Sequence, residues 1–143
     1  MKIFIDTSAW IALESKKDIH YNEAIIFKEE IRNKHYRLYT SNFVLDETYT
    51  LLLANVGYEK TMESAGRIRT LKNKGLLHVI QVTEEIEASA WVISQRFNKD
   101  KFWSFTDCTS KAIMEMLDIG ESFSFDKNFE QMGFVRRPYC IPP

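Results

Sequence analysis

Four carboxylates stand where a solvated surface charge would be out of place. Asp6 ends the apolar run KIFID, Glu47 lies inside FVLDETYTLLL, Asp107 follows the aromatic stretch FWSFT, and Asp126 ends SFSFD. An acid at the end of an apolar strand or within a buried helix face is costly unless it is paired, hydrogen-bonded or bound to a cation. Four such acids point to a hard metal ion, and an all-oxygen donor set suits Mg²⁺ or Mn²⁺ rather than zinc. An ion of that kind activates water and orients a phosphate for in-line displacement, so phosphodiester hydrolysis is the chemistry these residues could perform.

Each acid also invites a local explanation. Asp6, followed by Thr7 and Ser8, could cap a helix; Asp107 completes a Ser104-x-x-Asp107 capping-box spacing; Asp126 could open a turn at Asp126-Lys127-Asn128. Capping does not account for Glu47, which falls mid-helix with Asp46 as its rival. At about 100° per residue, Glu47 shares a face with Phe43, Leu51 and Ala54, whereas Asp46 points toward Thr50 and Leu53. Glu47 is therefore the expected member of the site.

The elements that would carry these acids are legible from the pattern of apolar residues. Short apolar runs alternate with helical spacing along the chain, the signature of an α/β layered domain. Strands are expected at 2–6, 38–41, 76–82, 122–126 and 134–136. Helices are expected around 9–13, 21–34, 42–55, 59–74 and 107–117, with another capped by Thr83 and carrying the apolar stripe Ile86, Ala90, Ile93 and Phe97. Gly75 is placed to end the fourth helix and Gly120 to end the last. In open parallel sheets the functional crevice lies beyond the carboxyl ends of the strands, where Asp6 and Asp126 both fall. No repeat, low-complexity tract or linker interrupts the alternation, so residues 1–143 read as one domain.

Composition permits this chemistry without demanding it. A chain 45% hydrophobic and 27% charged is that of a soluble globular protein. The formal net charge of −1 counts the four suspect acids; with those neutralised, 19 basic residues face 20 acidic ones less four, a balance of +3. Cys108 and Cys140 are too few for a disulfide framework or a zinc site, and neither has a second Cys or His at ligand spacing. With no signal-peptide pattern and no apolar run of membrane-spanning length, a cytoplasmic protein away from the membrane is the expectation.

Four blocks, KIFIDTSAWIAL (2–13), TSNFVLDETYTLLL (40–53), WSFTDCTSKAIMEML (103–117) and ESFSFDKNFEQMGF (121–134), occur in the order and spacing of a known family. In them the chain resembles the PIN-domain ribonucleases, and in particular the VapC-type toxins of prokaryotic toxin–antitoxin pairs. The resemblance implies a three-layer α/β/α sandwich whose mainly parallel sheet of about five strands has the order 3-2-1-4-5. It places the family's acids on Asp6, Glu47, Asp107 and Asp126, and its small hydroxyl partners on Ser8 and Thr106. Further implications are a Mg²⁺-dependent endoribonuclease, a homodimer, and a VapB-like antitoxin whose C-terminal segment fills the active-site groove, with the helices at 21–34 and 42–74 as its contact surface.

RNA contacts are expected from Arg67, Lys111 and Lys127, with the remainder of 67–74, Arg136 and Arg137 as further candidates. Trp10, Tyr49, Trp103 and Phe105 are candidates for base stacking if exposed. The competing reading is that such cations line a solvated helix face and such aromatics fill the core. His20, His35 and His78 share no spacing and read as structural or surface residues. Rival functions fail on single positions: a HAD-type phosphatase has a second Asp where this chain has Ser8, and a phosphoacceptor receiver needs an Asp after LLHVIQV, where Thr83 stands. A PIN nuclease that processes RNA without a toxin role, or a non-catalytic PIN-like module binding RNA or protein, remains as an alternative; intact acids argue against the module.

Overall fold

The computed structural model describes residues 1–139. The chain runs β1 (Lys2–Ile5), α1 (Thr7–Glu14), α2 (Tyr21–Asn33), β2 (Arg37–Ser41), α3 (Asn42–Val56), α4 (Tyr58–Asn73), β3 (Leu77–Ile80), α5 (Glu84–Phe97), α6 (Phe105–Met116), β4 (Glu121–Phe123), α7 (Asn128–Gln131) and β5 (Val135–Arg137). Five parallel strands form one sheet in the order β3-β2-β1-β4-β5, flanked by helices. This is the expected fold and the expected strand order.

The centre of the sheet follows from sequence. Ile3, Phe4 and Ile5 are all buried, as a strand covered on both faces requires, and Phe4 pairs with Tyr39 on one side and Ser122 on the other. Around it pack Phe27 and Ile31 of α2, Val44 of α3, Ile68 of α4, Ile86 and Ile93 of α5, and Ile113 and Met114 of α6. Among the described residues no helix is long and apolar enough to cross a membrane. Cys140 lies outside the described residues; Cys108 is a buried free thiol that behaves as a small apolar side chain.

Three helices start on hydroxyl caps: Ser41 accepts from Val44 N, Thr83 from Ile86 N and Ser104 from Asp107 N. Gly75 ends α4 as expected, taking φ +74° while Leu76 N bonds Leu71 O. Gly120 does not end α6. Asp118 supplies the left-handed residue there at φ +54°, and Ile119 N bonds Met114 O at 2.8 Å; Asp tolerates that conformation better than most side chains.

The other departures concern the ends of elements. The fourth strand stops at Phe123 rather than 126, because Asp126 N turns back to Ser124 Oγ at 3.0 Å and bends the chain away from the sheet. The one-turn helix α7 was not expected from sequence; Asn128 N bonds Asp126 Oδ1 at 2.9 Å to start it, and four residues are too few to show a period.

Candidate active site

Asp6 ends β1 and caps α1. Its N–H still extends the ladder to Phe123 O at 3.0 Å, so β1 and β4 stay in register up to the acid. Its carboxylate accepts from Ser8 N at 3.4 Å, Ser8 Oγ at 3.0 Å and Ser124 Oγ at 3.0 Å, all on Oδ2. Only 4% of Asp6 is exposed. Burial pushes its carboxyl up to about 7, the nearby charge of Asp107 adds to the rise, and the hydrogen bonds from Ser8, Ser124 and the Thr7 backbone oppose it.

Asp107 sits in the first turn of α6 as its third residue, not its first. Ser104 Oγ holds its N–H at 3.0 Å, and Asn128 Nδ2 donates to its Oδ2 at 2.9 Å. Burial raises the Asp107 carboxyl; Asn128 counters the rise, while Asp126 and Glu47 add to it through charge. Asp126 lies in the bend after β4, where Asn128 also reaches its Oδ2 at 3.4 Å. Glu47 is half-buried on α3 and faces these acids, whereas Asp46 beside it is exposed. All four acids line a single cleft of about 290 Å³, together with Ser8, Asp18, His20 and Phe125. No Lys or Arg forms an ion pair with any of the four among the described residues.

Ser8 is one of the cleft's lining residues, and its hydroxyl also accepts from Phe125 N at 2.9 Å. Thr106 is not: the bond that ends on it runs from Thr109 Oγ1 to its carbonyl. Ser124 and Asn128 take the supporting role instead. The Ser-x-Asp and Asp-x-Asn spacings around Asp126 were the available signals for them, but their long-range partners Asp6 and Asp107 were not readable. His20, read as structural or surface, lines the cleft.

Two of the three expected RNA contacts are committed elsewhere. Arg67 pairs with Glu14 and bonds Ser64 Oγ at 3.2 Å beside a separate apolar cleft between α1, α2 and α4. Lys111 is 8% exposed, pairs with Glu115, and lies over the rings of Phe97 and Phe134 at 5.8 and 5.6 Å. Lys127 is exposed beside Asp126. Arg136 bonds Glu130 Oε1 at 2.7 Å and Ser124 O at 3.3 Å, and Arg137 bonds Glu30 Oε1 at 2.9 Å, so both brace the fold. Trp10 and Trp103 are core residues bonded to Thr40 and Gln131. Phe105 is half-buried against Trp91, and Tyr49 is half-buried.

The four acids offer only oxygen donors, the chemistry that a hard divalent cation takes. Among the described residues no three His, Cys, Asp or Glu side chains stand close enough to form a ready-made cage. Mg²⁺ needs none, since it keeps several waters and takes one or two carboxylates. Acidic oxygens that raise one another and lack a cationic partner fit such an ion.

The fold and this acid-lined cleft are those of a PIN domain. The chain belongs to the PIN domain family, whose profile matches residues 3–135. It is 34% identical over 133 residues to the 23S rRNA-specific endonuclease VapC20 of Mycobacterium tuberculosis, covering 93% of this chain and 95% of the relative. A VapC ribonuclease of Archaeoglobus fulgidus is 29% identical over 130 residues, covering 90% of this chain and 80% of the relative. The crystal structure of M. tuberculosis VapC20, described as a sarcin-ricin loop cleaving toxin, superposes with a TM-score of 0.79 at 31% identity over 93% of this chain and 96% of that one. Rickettsia felis VapBC2 shares the fold, with a TM-score of 0.69 at 11% identity over 96% of this chain and 98% of that one.

Proposed function

We propose that this chain is a metal-dependent endoribonuclease, the VapC-like toxin of a toxin–antitoxin pair acting in the cytoplasm. The observation that carries the reading is the convergence of Asp6, Glu47, Asp107 and Asp126 on one cleft with no Lys or Arg paired to them among the described residues. A bound Mg²⁺ or Mn²⁺ supplies water activation and charge neutralisation for phosphodiester hydrolysis. Asp6 and Asp107 would hold it most directly, with Glu47 and Asp126 completing the set and one of the acids taking the proton from water. Ser8 and Ser124 fix the Asp6 carboxylate, and Asn128 fixes Asp107 against Asp126.

Ribosomal RNA is the substrate class to assay first, because the M. tuberculosis relative is described as specific for 23S rRNA. The antitoxin is proposed to lie along α2, α3 and α4, next to the apolar cleft between α1, α2 and α4 that is lined by Trp10, Leu13, Ile31, Ile68 and Leu71. A homodimer belongs to the same reading. Attack by water rather than by the ribose 2′-hydroxyl leaves 5′-phosphate and 3′-hydroxyl ends, and EDTA should stop the reaction. End-group analysis of the cleaved RNA checks this; cyclic 2′,3′-phosphate ends formed in EDTA would refute the mechanism.

A further inference from the structure

The cleft that holds the four acids is poor in positive charge. Among the described residues its walls carry Asp6, Asp18, Glu47, Asp107 and Asp126 but no Lys or Arg, and His20 brings an imidazole to the lining. RNA brings a negative phosphate with every nucleotide, so a wall of carboxylates repels each phosphate that is not neutralised or held by a donor. Arg67 and Lys111, the cations that sequence offered for this task, are paired away from the cleft.

His20 is fixed in place by its surroundings. Its N–H bonds Asp18 Oδ1 at 2.8 Å, and its carbonyl accepts from Ala24 N at 2.9 Å as α2 begins. Its ring lies on that of Phe125, with centroids 4.3 Å apart and planes 4° from parallel. Phe125 N in turn bonds Ser8 Oγ, and that hydroxyl bonds Asp6, so the ring is braced against the acid cluster itself. Neither imidazole nitrogen makes a hydrogen bond among the described residues; Nδ1 is enclosed, with Glu23 Oε1 3.9 Å away. The side chain is 32% exposed, and Nε2, unlike Nδ1, is not enclosed, so Nε2 is the nitrogen free to donate to a ligand in the cleft.

We propose that His20 is a substrate-positioning residue, whose imidazole N–H holds an RNA phosphate oxygen next to the scissile phosphate while Phe125 keeps the ring flat against the cleft wall. The assignment rests on the nuclease reading and names the residue that docks the RNA strand in that site.

The test compares His20→Phe, which keeps the stack and removes the N–H, with His20→Arg, which supplies an N–H donor in its place. On a random-sequence single-stranded RNA pool in Mg²⁺, His20→Phe should raise the apparent KM about tenfold and leave kcat within about twofold, and His20→Arg should recover KM to within about threefold. In an Asp107→Asn background, which should bind RNA without cutting it, adding His20→Phe should weaken binding of the same pool by a similar factor in fluorescence anisotropy. Unchanged KM in an active His20→Phe enzyme overturns the assignment and leaves the nuclease reading standing. A lowered melting temperature and kcat at unchanged KM overturns it too, since the ring would then be only a brace. A wild-type protein that cuts no RNA overturns both.

Discussion

Asp6 and Glu47 reach the same cleft by opposite routes. Asp6 is spent locally as well, capping α1 through Ser8, and a cap alone would have explained it; burial on the central strand separates it from an ordinary cap. Glu47 has no local role, and only the phase of α3 distinguishes it from Asp46. That phase was readable because the apolar residues of FVLDETYTLLL mark one face, and the structure turns Glu47 into the cleft and leaves Asp46 exposed. Glu47→Gln should therefore lose most metal-dependent turnover, while Asp46→Asn keeps it to within about threefold, a change of under about 1 kcal/mol in barrier. Initial cleavage rates of the two variants decide it, and equal losses would mean the face is wrongly assigned. Ser124, Asn128 and His20 escaped the sequence for a shared reason. Ser124 and Asn128 are common turn residues and His20 a lone histidine, and the significance of each lies in a partner far along the chain, whereas spacing reports only near neighbours. Lys111 misled for the converse reason, because nothing local shows that Phe97 and Phe134 enclose its ammonium.

At the scale of elements, strands and long helices were legible because their apolar spacing runs for many residues, whereas their ends were set by side-chain bonds. Thr83 and Gly75 obey the sequence rules for helix ends; Asp118 takes the position that Gly120 was expected to fill, and the bend after Phe123 is made by Ser124 rather than by a Gly or Pro. The start of α6 shows how such an end serves the cleft. Ser104 Oγ holds the N–H of Asp107 itself, so cap and acid are one assembly. Ser104→Ala should cost about 1 kcal/mol, the usual value of a lost hydroxyl cap, and lower the melting temperature by about 2–5 °C. Cleavage should fall by less than about tenfold, because Asn128 still anchors the Asp107 carboxylate. Thermal melts and rates on the same preparation check both halves.

Across the whole molecule, the crowded acids tie stability to pH and to metal. In the metal-free protein the Asp6 carboxyl sits at about 7 when folded against 3.8 when free, so the folded state binds the proton more tightly than the unfolded one. That contribution is complete below about pH 4 and is lost as the pH rises through about 7. A rise of this size weakens the ionised folded form by up to about 4 kcal/mol. Asp6→Asn should flatten the slope, leaving the part due to Asp107, and, at pH 7 without metal, leave the protein as stable as wild type or more so, although it forfeits a helix-dipole interaction of about 0.3–1 kcal/mol. Mg²⁺ or Mn²⁺ should raise the melting temperature of wild type far more than that of Asp6→Asn or Asp107→Asn. Melts from pH 4 to 8, in EDTA and in metal, are the measurement; clearly weakened metal-free variants and a wild type indifferent to metal would reduce these acids to caps.

The hydrogen bond from Ser124 Oγ to Asp6 Oδ2 joins positions 118 apart in the chain, and β4 reaches β1 only after all the intervening helices have been laid down. Such non-local closure is slow, and it comes late in vectorial synthesis, where domains fold as units from the N-terminus onward. A ribosome thus carries a nascent chain without a cleft until β4 has been made. The order of the strands keeps the four acids from converging while the chain is short, and the pairing of β4 with β1 is the step at which the cleft first exists.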